Sequence, residues 1–492
     1  MKFKVFTFSL LMLQSNLAVQ AGIRLPALVG DHMVLQRDVK VPIWGWADPG
    51  EKVALTFQGK TYAATPATTG KWQIMLPAIP AGGPYTMTIK GQNTLTIQDI
   101  LVGDVWLASG QSNMELPLRD PNAPSPNSYP LIVNAEQEVA AANFPRIRQF
   151  TVKKVTAYQP QTENQGYNWK VCSPSTAGQF SAVAYFFARD LYKRYNVPIG
   201  IISSPWGGTP AEAWVSGAAL KTLPDFQAPV TELEQLAATV PATDNNAQNK
   251  PTTLYNGMIA PLIPYALKGV IWYQGESNAN RGEQYRTLFP ALIKDWRGRW
   301  GYEMPFLFVQ LANFNESPTE PTESDWAELR EAQAQALVLP RTGMAVALDI
   351  GDAKDIHPAN KQDVGHRLAL VARKVAYGDK QVVASGPTFQ SMSVSGNTAK
   401  LRFTGVGSGL VVKGGNGALK GFAVAGADKK FYWATATVQG QDVVLSSSAV
   451  PTPVAVRYAW ANNPEANLYN REGLPAAPFR TDQWEGITHG KK

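Results

Sequence analysis

The strongest constraint on this chain is a change of texture along its length. Between about residues 100 and 379, apolar segments at 102–108, 197–203, 269–273, 305–311 and 344–350 alternate with longer helix-like stretches at 181–195, 281–300, 326–336 and 358–376. Strands separated by helical crossovers pair in parallel, because a parallel neighbour needs a connection of a dozen or more residues. The expectation is a three-layer α/β domain over 100–379, with a surface insertion at about 216–250, where Ala, Thr, Asn and Gln dominate and no strand is expected. In such sheets ligands bind outside the carboxyl ends of the strands, so chemistry belongs just after each strand.

On either side the pattern is different. Residues 22–99 and 380–492 carry short extended segments broken by turn residues, and much of the supply of 41 Gly and 36 Pro falls into these turns. The first reads as a small β-sandwich region and the second as a further β region. Ahead of them, Lys2 and Lys4 precede an apolar run at 5–13 that is shorter than the ~20 residues a membrane span needs. Ala18-Val19-Gln20-Ala21 then offers small residues for cleavage, so 1–21 are expected to be a secretory signal and the mature chain to be periplasmic or secreted. No later segment reads as a membrane span. The one cysteine, Cys172, cannot bridge within the chain and is expected to be a buried structural thiol. A formal charge of +7 with no run of Lys or Arg gives no footprint for nucleic acid. HExxH, P-loop and dinucleotide fingerprints are lacking, and the expectation is that neither metal nor organic cofactor is used.

With four histidines in the chain, a histidine base can be sought by position. His489 lies in the polar tail and His32 in the first β region. His366 falls opposite the apolar stripe Val364, Leu368, Val371 and Val375 of its helix, which predicts a solvated side chain. His357 follows the strand at 344–350 and directly precedes Pro358, a residue suited to a first helical turn. That places an imidazole at the mouth of the crevice with carboxylates close by. The first strand of the α/β region runs into Gly110-Gln111-Ser112-Asn113-Met114-Glu115. A serine at a strand-to-helix turn can present its hydroxyl beside backbone N–H groups that meet a developing oxyanion. Ser112-x-x-Glu115 also reads as a capping box, and Met114 stands where the Gly-x-Ser-x-Gly elbow would have its second glycine.

Four blocks carry a resemblance: Gly110-Gln111-Ser112-Asn113-Met114, Ser204-Pro205-Trp206-Gly207-Gly208-Thr209-Pro210-Ala211-Glu212-Ala213-Trp214, Trp272-Tyr273-Gln274-Gly275-Glu276-Ser277-Asn278 and Asp355-Ile356-His357-Pro358. In order, each after an expected strand, they resemble the sialate O-acetylesterase family of the SGNH, or GDSL-like, hydrolase superfamily. Asp31-His32-Met33-Val34-Leu35-Gln36 and Pro42-Ile43-Trp44-Gly45-Trp46 extend the likeness across nearly all of the mature chain. The resemblance implies Ser112 as nucleophile and His357 as its base. It implies an oxyanion site made by the Ser112 N–H, an N–H of the Gly207-Gly208 turn and a side-chain amide from the third block, either Gln274 at the strand end or Asn278. The superfamily's acid commonly stands three residues before the histidine, where this chain has Lys354. Asp355 is the favoured substitute, with Asp352, Glu276 or a dyad without an acid as alternatives.

The implied activity is removal of O-acetyl groups from a carbohydrate, either a sialic acid or an acetylated plant hemicellulose. Trp206, Trp214, Trp272 and Tyr273 lie in or beside the blocks and are expected to offer aromatic faces to sugar rings. Two other classes compete. A glycoside hydrolase would pair Glu276 with Asp352, and a non-catalytic carbohydrate-binding protein would need neither Ser112 nor His357.

Overall fold

The computed structural model describes residues 22–119, 132–164, 166–237, 247–414 and 417–492. The expected signal at 1–21 lies outside the described residues. The central sheet is built from β1 (Thr94–Gly110), β2 (Phe144–Thr151), β3 (Lys170–Cys172), β4 (Ile199–Pro205), β5 (Gly269–Tyr273), β6 (Phe306–Gln310) and β7 (Thr342–Val346), in the order β7-β6-β5-β1-β4-β2-β3. Every neighbouring pair on this path is parallel except β2 with β3. This is the expected α/β domain with two strands, β2 and β3, that the apolar pattern did not show. β2 carries buried Arg148 and Gln149, which break the apolar run by which a parallel strand is recognised.

β1 changes character along its length. Its first half alternates between exposed and buried positions and pairs antiparallel with the strand Gly82–Lys90. From Ile100 on every residue is buried, and the strand pairs in parallel with β4 and β5. One wet face explains the alternation, and helices on both faces explain the continuous apolar run. One strand thus belongs both to the N-terminal β region and to the centre of the α/β sheet.

The ladder also sets heights. Gly110 lies opposite Pro205 on one side and Tyr273 on the other, and Ser109 lies opposite Ser204 and Trp272. Three of the four sequence blocks are therefore brought level at the carboxyl edge of the sheet. The main crossover helices are α1 (Ala182–Tyr195), α2 (Gly282–Trp300), α3 (Asp325–Gln335) and α4 (Lys361–Val375). Ser181, Ser324 and Asn360 cap α1, α3 and α4 by accepting backbone N–H groups of the first turn. Helix α1 packs on α4 and α2 on α3, which covers the two faces of the sheet. Gly365 of α4 is the point of closest approach: a Cβ there would lie 2.5 Å from Cβ of Phe186. The stretch at 216–250 carries two helices, Gly217–Leu220 and Pro224–Leu236, over the residues described.

The C-terminal region forms two four-stranded antiparallel sheets and a strand pair. It is tied to the α/β domain by Arg330 of α3, which is fully buried. The guanidinium donates to the carbonyls of Leu311 and Ala312 beyond β6 and to those of Ala461 and Asn462 in the C-terminal region, at 2.7–2.9 Å. Burial with no facing carboxylate pulls its pKa down to about 9. Replacing Arg330 by Met would leave the Leu311 and Ala461 carbonyls without this donor, while Ala312 O keeps Trp326 Nε1 and Asn462 O keeps the Phe314 N–H, at about 1–3 kcal/mol for each unsatisfied buried group. Arg330→Met is expected to lower the urea unfolding midpoint by the equivalent of about 3 kcal/mol, and an unchanged midpoint would contradict this account.

Candidate active site

β1 stops at Gly110, whose φ is 133°. A side chain there would place Cβ 2.1 Å from the Tyr273 carbonyl oxygen, so only glycine lets β1 and β5 run this close at the crevice. Gln111 then donates its N–H to that same carbonyl at 3.0 Å, and Ser112 opens a single helical turn, Ser112–Glu115. The capping-box reading does not hold. Gln111 is the N-cap residue without a side-chain cap bond, and the Glu115 carboxylate turns instead to the Gly207 N–H and to Lys154.

The loop after β7 returns His357 to this turn. Its Nε2 lies 2.9 Å from Ser112 Oγ across 245 residues of sequence. On the other side of the ring, Nδ1 lies 3.3 Å from Asp355 Oδ1, and the same oxygen accepts the His357 backbone N–H at 2.8 Å. The carboxylate thereby grips both the loop and the ring. Burial and the positive charge of Lys361 lower the His357 pKa below 6.5 against the opposing pull of Asp355. Helix α4 begins at Lys361 behind the cap Asn360, so Pro358 lies in the loop and not in a first helical turn. The three other histidines lie elsewhere, each against its own carboxylate: His32 on Asp99, His366 on Asp190 and His489 on Glu283. His366 is exposed, as its helical phase predicts.

Asp352 lies in the exposed part of the loop, where Oδ1 accepts the Lys354 N–H at 2.8 Å in a local turn. Glu276 accepts from Asn113 Nδ2 at 2.6 Å, and its other oxygen, Oε2, is buried without a hydrogen-bond partner. The two carboxylates expected of a glycoside hydrolase are thus turned to separate tasks. In the glycine turn, Gly207 packs against Ser112, and a Cβ on it would lie 3.3 Å from Ser112 Cβ. Its N–H is taken by Glu115 Oε2 at 2.6 Å. Gly208, exposed and at φ 72°, completes the turn.

The side-chain amides of the third block point inward. Gln274 is fully buried and donates to Asn278 Oδ1 at 2.7 Å and to Thr209 O at 3.3 Å, while its own Oε1 accepts from Tyr285. Asn278 Oδ1 also accepts from Ala211 N, and Nδ2 donates to Glu212, which Arg281 pairs. Both amides knit the second block to the third and are spent on the protein. The aromatic expectation also needs correction. Trp214, Trp272 and Tyr273 are fully buried, and Trp272 packs among Trp214, Phe289, Trp296 and Phe306. They stand on or beside strands under the helical layer and show no face to a ligand. Trp206 alone of the four is partly exposed, with the Lys154 ammonium 5.4 Å from its ring centre.

Two residues next to the serine and histidine were not singled out from sequence. Asn113 donates to Glu276 and, at 3.1 Å, to the Ile356 carbonyl, and accepts from Lys361 Nζ. Lys361 is fully buried, with its ammonium 5.6 Å from the Tyr273 ring centre, and burial brings its pKa down to about 7. Their signals were present as the residue after the serine and the lysine four after the histidine. Among the described residues no group of three or more His, Cys, Asp or Glu side chains is arranged to hold a metal ion, and no helix is long and apolar enough to cross a membrane.

A serine and a histidine in hydrogen-bond contact beyond the carboxyl edge of a three-layer α/β sheet form the frame of a serine hydrolase. Comparison with known proteins narrows the class. Residues 102–374 match the family described as carbohydrate esterase, sialic acid-specific acetylesterase. Human sialate O-acetylesterase is 33% identical, over 97% of this chain and 96% of the relative, and the mouse protein is 32% identical over 93% and 94%. A crystal structure of a carbohydrate acetylesterase from Xanthomonas citri is 47% identical, with a TM-score of 0.84 over 94% of this chain and 100% of that one. The chain belongs to the sialic acid-specific acetylesterase family and is a carbohydrate O-acetylesterase.

The charges around the imidazoles can be checked directly. In an NMR titration of the histidine side chains, His357 is expected to have a midpoint below 6.5, while His489, held by Glu283, is expected above it. A His357 midpoint at or above 6.5 would contradict the geometry described.

Proposed function

We propose that this protein is an exported esterase that removes O-acetyl groups from carbohydrates through an acetyl–Ser112 intermediate. The observation that carries the reading is the 2.9 Å contact between Ser112 Oγ and His357 Nε2. As Oγ attacks the acetyl carbonyl carbon, His357 Nε2 takes the hydroxyl proton, and Asp355 at Nδ1 stabilises the imidazolium. In this reading the negative charge on the former carbonyl oxygen is met by the Ser112 N–H, which has no partner within the turn Ser112–Glu115, and by the Gly208 N–H as a second donor. His357 then hands its proton to the departing sugar oxygen. Water, deprotonated by the same ring, attacks the acetyl-serine, and acetate leaves as Ser112 regains its proton.

Aromatic and charged groups at the rim, Trp206 with Lys154 and Glu115, supply the sugar contacts in this reading. The names of the relatives support an acetylated carbohydrate, with the human and mouse proteins directing attention to sialic acids and the bacterial structure to carbohydrate acetyl esters in general. Export rests on the pattern at 1–21 and predicts a mature chain that begins near Gly22, which N-terminal sequencing of the protein from its producing cell checks.

Ser112→Ala is expected to reduce acetate release by about 10⁴-fold or more with the fold intact, and retained turnover would sink the mechanism. Asp355→Asn is expected to lower kcat by about 10²–10⁴-fold while Asp352→Asn leaves it nearly unchanged. Acetate release from O-acetylated sialic acids, acetylated xylan and acetylated xyloglucan, measured side by side, identifies the glycan. Release of reducing sugar without acetate would instead favour glycoside hydrolysis.

A further inference from the structure

Beneath Ser112 and His357 runs a chain of buried polar groups that the acyl-transfer steps do not use. Lys361 Nζ donates to Asn113 Oδ1, and Asn113 Nδ2 donates both to Glu276 Oε1 and to the Ile356 carbonyl. Asn113 follows the serine and Ile356 precedes the histidine, so one carboxamide ties the nucleophile's turn to the histidine's loop. Lys361 roots the other end of that loop in α4, and Glu276 extends the tie to the loop after β5.

The arrangement is costly as pure architecture. A buried ammonium loses its hydration, and Lys361 is the first residue of α4, the end of a helix where a cation is least favoured. Glu276 keeps one carboxylate oxygen buried with no hydrogen bond. An apolar pair of the same volume would fill this space at lower cost, so packing alone does not account for it.

Building on the Ser112–His357 reading, we propose that Asn113, Lys361 and Glu276 are positioning residues. Asn113 holds the serine turn and the histidine loop in register, and Lys361, linked to Glu276 through Asn113, sets the charge felt by His357. The groups facing His357 are Asp355 on its own loop, Lys361 from α4 and Ser112 across the crevice. Those facing Lys361 are Glu276, Asp355 and the Tyr273 ring. Lys361 and Asp355 oppose each other at the imidazole. Asp355 stabilises the imidazolium of the transition state, and Lys361 keeps the resting ring neutral and ready to take a proton.

Two substitutions then shift His357 in the same direction by different amounts. Lys361→Met removes a positive charge, so the His357 pKa rises and the acid limb of kcat/KM against pH moves to higher pH. Glu276→Gln keeps the volume and the acceptor for Asn113 but removes a charge that helps keep Lys361 protonated, so Lys361 gives up its proton more readily and the limb moves the same way, by less. A shift of about half a unit is expected for Lys361→Met. Asn113→Ala is expected to lower kcat about 10–100-fold with little change in KM, because it loosens the alignment of Oγ and Nε2 without touching the sugar. The experiment is the pH profile of acetate release for wild type, Lys361→Met and Glu276→Gln, with thermal unfolding to establish that each variant is folded. Shifts to higher pH in both variants, larger for Lys361→Met, support the proposal. Acid limbs that overlay the wild type in folded variants overturn it, whatever the fall in kcat. Should Lys361→Met fail to fold, the near-isosteric Glu276→Gln decides alone by the same criterion. Ser112→Ala is run alongside, since turnover retained there would defeat the underlying mechanism and not this inference alone.

Discussion

The catalytic frame depends on the backbone ladder that locks β1 between β4 and β5. Because Gly110 is paired with both Pro205 and Tyr273, three segments far apart in sequence end at one height, and the loops that follow them open into one crevice. The fit is tight enough at Tyr273 O that position 110 tolerates no side chain. Everything placed at the edge inherits this alignment. Ser112 is two residues past the pairing, Gly207 is two past the end of β4, and Glu276 is three past the end of β5. Only His357 arrives on a long loop, and it is there that the structure adds extra fastening through Asp355, Asn113 and Lys361. Rigid strands carry Ser112, and a buttressed loop carries His357.

Electrostatically, the centre is a set of opposed charges at short range. Burial and Lys361 disfavour the imidazolium, and Asp355 favours it. Glu276, itself pushed above its ordinary pKa by burial, accepts from Asn113, which in turn accepts from Lys361. In the proposed mechanism His357 is neutral at rest and cationic for an instant, and such a balance serves both states.

The strands of the α/β domain and the serine and histidine were legible in the sequence for a common reason. Parallel strands buried on both faces advertise themselves as apolar runs, and functional residues follow them. What was hidden has equally physical causes. β2 escaped notice because Arg148 and Gln149 interrupt its apolar run while being buried by hydrogen bonds to Asp99, Ser181 and Thr151. The aromatic residues of the blocks were read toward the substrate, yet Trp272 and Tyr273 belong to a strand covered on both faces, where neither side of the pleat meets solvent. Gln274 follows that strand but turns inward to Tyr285 and Asn278, a choice set by tertiary partners that no local pattern reveals. Asn113 and Lys361 were adjacent to recognised residues, but a polar side chain gives no sequence sign of whether it is buried.

The double membership of β1 has a mechanical corollary. Since the strand that pairs with Gly82–Lys90 is the same one that delivers Ser112, force or strain applied to the N-terminal β region passes along an unbroken backbone to Ser112. There is no slack segment between them to act as a joint. A fragment cut ahead of residue 94 would expose the unpaired edge of the central strand, and a fusion attached to the front of the chain would pull on the serine through a taut cable, not through a tether.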